Sequence, residues 1–327
     1  SSPRVRPEPG AAVTPVSPNP LETAACEVPW DLIRQRGWKG ECAVHACAPT
    51  YHKTPLIVFA VSLVPEAVPA LLAGGADPSA CGPQDRSVLS WALLRNPSLV
   101  PVLLAAGASL HTKGGAPPLF LAAQMAPEAI PALLAAGADL HARDAQNRTV
   151  LMLESCKGFA ALLAAGADVH AVDRKGNTVL LTLLQHPPSS AELWPEYFAR
   201  IDAALAAGAR VDARNAEKET ALMWAAATHE ELVGKLLTAG ADPASVDGEG
   251  LCALCWAARG GQSAAFARLL TAGADTEAWE KAFSTGSIER VVSNPSAFDR
   301  TKAHWEAWLL DGHVPDASSS PRVKLRL

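Results

Sequence analysis

LLAAGAD stands at residues 133–139 and again at 162–168. Variants recur as LLAGGAD (71–77), LLAAGAS (103–109), ALAAGAR (204–210), LLTAGAD (236–242) and LLTAGAD (269–275). Paired leucines and alanines favour helix, and a glycine just after them supplies a left-handed C-cap without steric cost. Gly75, Gly107, Gly137, Gly166, Gly208, Gly240 and Gly273 therefore read as seven helix ends, 29–33 residues apart except for one interval of 42. A nearly fixed period of that size is the signature of a repeat array.

A second landmark stands upstream of each glycine: Thr54-Pro-Leu, Ser87-Val-Leu, Pro117-Pro-Leu, Thr149-Val-Leu, Thr178-Val-Leu, Thr220-Ala-Leu and Cys252-Ala-Leu. A hydroxyl there is placed to satisfy free N–H groups at the start of a short first helix. The alanines that follow, such as Ala225-Ala226 and Ala257-Ala258, let that helix pack closely. A second helix carries the paired leucines, and Gly-Ala-Asp leads into a turn holding Asp144, Asp173, Asn215 or Asp247. A unit this small cannot bury its own apolar faces, whereas a stack of such units can.

The pattern resembles the ankyrin repeat, with TPLHxA at the first helix and LLxxGAD closing the second, over roughly residues 50–280. The resemblance implies an all-α ankyrin-repeat solenoid of stacked helix-turn-helix units. The expected layout is a Pro-rich tether (1–20), an N-terminal capping segment (21–50), seven repeats (51–276), a degenerate C-terminal capping repeat (277–316) and a basic, disordered tail (317–327). No copy keeps the family histidine. Ile57, Ser90, Phe120, Met152, Leu181, Met223 and Cys255 stand in its place, so the turns are expected to lose one support. The fourth repeat is short, which predicts a trimmed inter-helix turn around residues 154–158. The fifth is long, which predicts a projecting loop over HPPSSAELWP (186–195).

Composition narrows the function classes. A net charge of −5 does not suggest a nucleic-acid-binding surface. No apolar run approaches the roughly 18 residues that span a bilayer. His111, His141 and His170 repeat at one slot, but neighbouring repeats lie on the order of 10 Å apart. That is too far for one shared metal with bonds near ~2 Å. Cys252 and Cys255 form a CxxC, but they fill two template slots and no second CxxC appears, so they read as structural. Trp91, Trp224 and Trp256 share a slot and read as packing residues. No catalytic motif is present. The expectation is a non-enzyme without metal or cofactor.

The family resemblance implies binding of another protein through a concave face of turns and first helices. It maps that face onto Arg95, Gln124, Met125, Arg143, Gln146, Arg148, Arg174, Lys175, Asn177, Arg214, Glu217, Glu219, Glu249 and Arg259. The turns grade from basic in repeats four and five to acidic in six and seven. Trp194, in the long loop, is a further candidate anchor, or else it tucks back onto the second helix. Cys26, Cys42 and Cys47 can include one disulfide if the protein is exported. The expected protein is a monomer, periplasmic or secreted, that protects or neutralises its partner in the manner of an immunity protein. The alternative is a cytosolic scaffold or a secreted effector.

Overall fold

The computed structural model describes residues 29–38, 47–48, 54–111, 116–274, 276–284 and 295–310. Cys26, Cys42, the side chain of Cys47, the segment 1–20 and the tail 317–327 lie outside the described residues. The chain forms two compact blocks, Ser1–Pro118 and Leu119–Leu327.

In the N-terminal block, α1 (Trp30–Gln35) precedes a short antiparallel pair, β1 (Cys47–Ala48) with β2 (Thr54–Pro55). Trp38, after α1, lies 5.3 Å from Phe59. Repeat one follows as α2 (Leu56–Leu63) and α3 (Val68–Ala73), and repeat two as α4 (Val88–Arg95) and α5 (Val100–Ala105).

Repeat three is α6 (Pro118–Met125) with α7 (Ile130–Ala135). In the C-terminal block, repeat four supplies α8 (Phe159–Ala164). Repeat five is α9 (Val179–Gln185) and α10 (Trp194–Ala206). Repeats six and seven are α11 (Ala221–Thr228) with α12 (Glu230–Thr238), and α13 (Ala253–Gly260) with α14 (Ser263–Thr271). Two more helices, α15 (Thr276–Ser284) and α16 (Pro295–Leu310), close the described chain. Among the described residues the fold is helical apart from the β1–β2 pair and isolated bridges such as Val172 with Thr178.

Prolines mark helix starts in this chain. The second helices of repeats one to three carry Pro69, Pro101 and Pro131 in their first turns, each behind a 3-10 turn opened by Pro65, Pro97 or Pro127. Proline needs no N–H partner there, and its fixed φ suits the helix entry. The helices end as the sequence predicts. Gly137 takes φ 88°, its N–H donates to the Leu134 carbonyl at 3.0 Å, and the Ala138 N–H donates to that of Leu133 at 2.9 Å. The first leucine of each pair is buried, as at Leu71, Leu103, Leu133 and Leu162, while the second is half-exposed except in repeat seven, where Leu270 is buried as well. Hydroxyl capping is narrower than expected. Ser87 and Thr178 accept from the N–H groups of Ser90 and Leu181, but α2 begins after Pro55 and Cys252 offers no cap bond.

Repeat four departs from expectation in an informative way. The shortening falls on the first helix itself, which shrinks to one 3-10 turn (Val150–Met152), rather than on the turn that follows. Thr149 then has no partner for its buried hydroxyl. The carbonyls of Leu153 and Glu154 are met by Arg200 from α10, whose Nη2 and Nη1 donate to them at 2.8 and 2.6 Å. The Arg200 guanidinium also stacks 5.4 Å from the Phe159 ring. Burial pushes the Arg200 pKa down, against the stabilising fields of Cys156, Glu196 and Tyr197.

Repeat five also differs from its prediction. The irregular loop is confined to residues 186–190, and a 3-10 turn (Ala191–Leu193) leads into a 13-residue α10. Trp194 and Pro195 open that helix rather than ending a loop. The extra turns are held by burial of Tyr197, Ile201 and Ala204 on one face, a spacing of three and four. Beyond the last repeat, α16 packs on α13 and α14. Trp279 is fully buried between Phe266 at 4.8 Å and Trp305 at 6.3 Å.

Candidate partner-binding surface

Four turns of the C-terminal block share one construction. Asp144 Oδ1 accepts from the N–H groups of Gln146 and Arg148, Asp173 Oδ1 from those of Lys175 and Asn177, Asn215 Oδ1 from Glu217 and Glu219, and Asp247 Oδ1 from Glu249 and Leu251. Each acidic or amide side chain thus folds its own turn. The turns then tie to one another through the backbone. The Arg174 N–H donates to the Gln146 carbonyl at 3.1 Å, that of Ala216 to Lys175 at 3.0 Å, and that of Gly248 to Glu217 at 2.7 Å. All seven residues that stand in the slot of the missing histidine are buried.

Several residues mapped to the binding face work inside the fold. Asn177 is 3% exposed, so it does not meet a partner directly. Its amide donates to Asp173, and its Oδ1 accepts from Asn215 at 3.0 Å and Gln185 at 3.1 Å. Arg148 pairs with Asp144 at 2.8 Å, Arg143 donates to the carbonyls of Asn147 and Val172, and Arg174 donates to that of Ala145. Glu219 accepts from Asn215 and from the Trp224 indole, and Arg259 lies over the Trp256 ring. Gln124 is half-buried. Met125, Gln146, Lys175, Arg214, Glu217 and Glu249 remain exposed with side chains outside these networks, as does Arg95 in the N-terminal block.

The two tryptophans of repeats six and seven have a role that spacing alone did not reveal. Their rings lie 5.0 Å apart, and the Trp256 Nε1 donates to Asp247 at 2.9 Å, so the slot bolts the first helix to its own turn. Trp194 is half-buried against Tyr197 and Phe198 of its own helix and His229 of repeat six. The tucked arrangement is the one adopted, because the helix begins at this residue. His111, His141 and His170 are exposed, and each donates a backbone N–H to the side chain two residues before it. No group of three metal-ligating residues is present among the described residues.

Cys252 and Cys255 are buried with sulfurs 3.6 Å apart. Their mutual hydrogen bond, then burial, raises the Cys255 pKa, which opposes thiolate formation. Burial likewise pushes Cys156 up to about 11. Cys81 is exposed. Iodoacetamide at about pH 8 should therefore modify Cys81 in the native protein and spare Cys156, Cys252 and Cys255 until unfolding. Peptide mass spectrometry reads this directly, and native labelling of either repeat-seven cysteine would show that repeat seven opens.

No described helix is long and apolar enough to cross a membrane. A family model for ankyrin repeats, in three copies, matches residues 197–278. No curated protein sequence matches the chain. Among solved structures it is similar to the ankyrin repeat domain of Bcl-3, described as a unique member of the IkappaB protein family. That likeness has 27% identity and a TM-score of 0.51, and covers 61% of this chain and 91% of the other.

Proposed function

The chain is an ankyrin-repeat protein, and from that premise we propose that it is a non-catalytic module whose stacked turns dock a specific protein partner. One observation carries the reading. The four turns are fixed by side-chain and backbone bonds within and between repeats, and they leave Gln146, Lys175, Arg214, Glu217 and Glu249 exposed on that frame. A backbone frame fixed before binding leaves only the side-chain rotamers to be ordered when a partner arrives. Lys175 and Arg214 beside Glu217 and Glu249 also give the surface a polarity that steers encounter.

Reversal of Arg148 or Arg174 would unfasten a turn as well as change its charge, so Lys175→Glu with Arg214→Glu is the cleaner test. The partner is first isolated from the native host by crosslinking and pull-down. The double variant should then bind it about tenfold more weakly, chiefly through a slower, salt-sensitive association rate. Its thermal midpoint should be unchanged. Equal affinity would remove the turns as the docking surface.

The reading extends to an exported protein that protects or neutralises its partner. The Pro-rich segment 1–20, which suits a tether, supports this, and a disulfide among Cys26, Cys42 and Cys47 would follow from export. Fractionation of cells expressing the full-length gene product tests it, and a purely cytoplasmic signal would favour the scaffold alternative.

A further inference from the structure

We propose that the cleft between the fifth-repeat insertion and the shortened fourth repeat is a second binding site, which takes an acidic side chain of a polypeptide partner. The cleft has a volume of about 480 Å³, and its lining includes Lys157, His186, Leu193 and Arg200 together with the carboxylates Glu154 and Glu196. It exists because the fourth repeat lost its first helix while the fifth gained residues 186–193 opposite the gap.

Arg200 gives the cleft its sign. The residue is only 8% exposed, and among the described residues it forms no ion pair. Two of its nitrogens serve backbone carbonyls, and its Nε has no hydrogen-bond partner. Glu196 acts on it only through its field, no carboxylate touches it among the described residues, and one delivered through the cleft would complete its neutralisation. Lys157 also lines the cleft, is exposed, forms no ion pair among the described residues, and adds a second positive charge.

The acidic groups nearby do not reverse the preference. The Glu154 side chain is 65% exposed and lies 3.8 Å from His186, and Glu196 is exposed as well. Water and salt screen such groups far more than they screen a buried cation.

The size and rim of the cleft favour a polypeptide over a free ion. A water occupies about 30 Å³, so a small anion would leave most of the space unfilled. Pro187, Pro188 and a Leu193 that is 51% exposed form an apolar lip suited to the chain beside an acidic residue. The inference rests on the chain acting by protein binding, but it uses the loop after α9 rather than the turns before the first helices.

The test uses random peptides displayed on phage and selected against the immobilised full chain. Enriched sequences should share an Asp or Glu, and changing that residue to Asn or Gln in a synthetic peptide should weaken binding about tenfold, by calorimetry. Lys157→Glu in the chain should give a similar loss with an unchanged circular dichroism spectrum. Absence of enrichment, enriched peptides without an acidic residue, or affinity indifferent to Lys157→Glu would each overturn the proposal. Inorganic phosphate is the second probe: stoichiometric saturation by phosphate with no selected peptide would make the cleft a free-anion site and reject the polypeptide. Selected peptides should bind the Lys175→Glu, Arg214→Glu chain undiminished, so a failure at the turns and a failure at the cleft are read separately.

Discussion

Replacing Arg200 with methionine is expected to destabilise the C-terminal block by about 2–4 kcal/mol, because the buried Leu153 carbonyl and the part-buried Glu154 carbonyl lose their donors, the buried one at ~1–3 kcal/mol. The substitution keeps most of the side-chain volume and its contact with Phe159, so the loss reports the hydrogen bonds rather than a cavity. The carbonyls belong to Leu153 and Glu154, at the end of the one first helix that the sequence was too short to build. Arg200→Lys should recover only part of the loss, since a single ammonium lacks the fork that serves both oxygens. Urea unfolding followed by circular dichroism measures the effect. A midpoint unchanged in Arg200→Met would mean that water satisfies the carbonyls equally well. The expected signature is early loss of repeats four and five, because neighbouring repeats stabilise one another pairwise.

Gly260→Ala is the second large effect, expected at about 1–3 kcal/mol of destabilisation. Gly260 ends α13, and a Cβ there would collide with the carbonyl of Ala227 in α11. The obstacle is backbone, so no rotamer change relieves it and the two first helices must separate. The ~1 kcal/mol that alanine gains over glycine in a helix is too small to offset this. Gly234→Ala is the matched control. Its added Cβ meets the guanidinium of Arg268, the far end of a flexible side chain. Arg268 would swing away at the cost of an exposed pair with Glu230, a contribution of about 0–1 kcal/mol. Gly234→Ala should therefore be neutral or mildly stabilising. If both substitutions proved neutral, the close approach of α11 and α13 would not be a determinant of stacking.

Much of the molecule was legible in the chain alone because it is written in local code. Leucine pairs ending in Gly-Ala fixed the second helices, since propensity and a left-handed cap act within a few residues. The period announced an array of two-helix units. The turn residues Asp144, Asp173, Asn215 and Asp247 were visible too, because an Asx side chain bonds its own backbone two and four residues on.

Which candidate surface residues were free depended on contacts between distant parts of the chain. Arg200 reaches carbonyls 46 and 47 residues upstream, and Asn177 accepts from Asn215, 38 residues on. Nothing in local spacing announces such partners. The same holds for Trp194, whose neighbour His229 belongs to the next repeat, and for the missing helix of repeat four, where a deletion that looked like a trimmed turn cost a helix instead. Short-range preferences set the helices and their period. Long-range hydrogen bonds then determined which polar side chains the stack consumed and which it left for a partner.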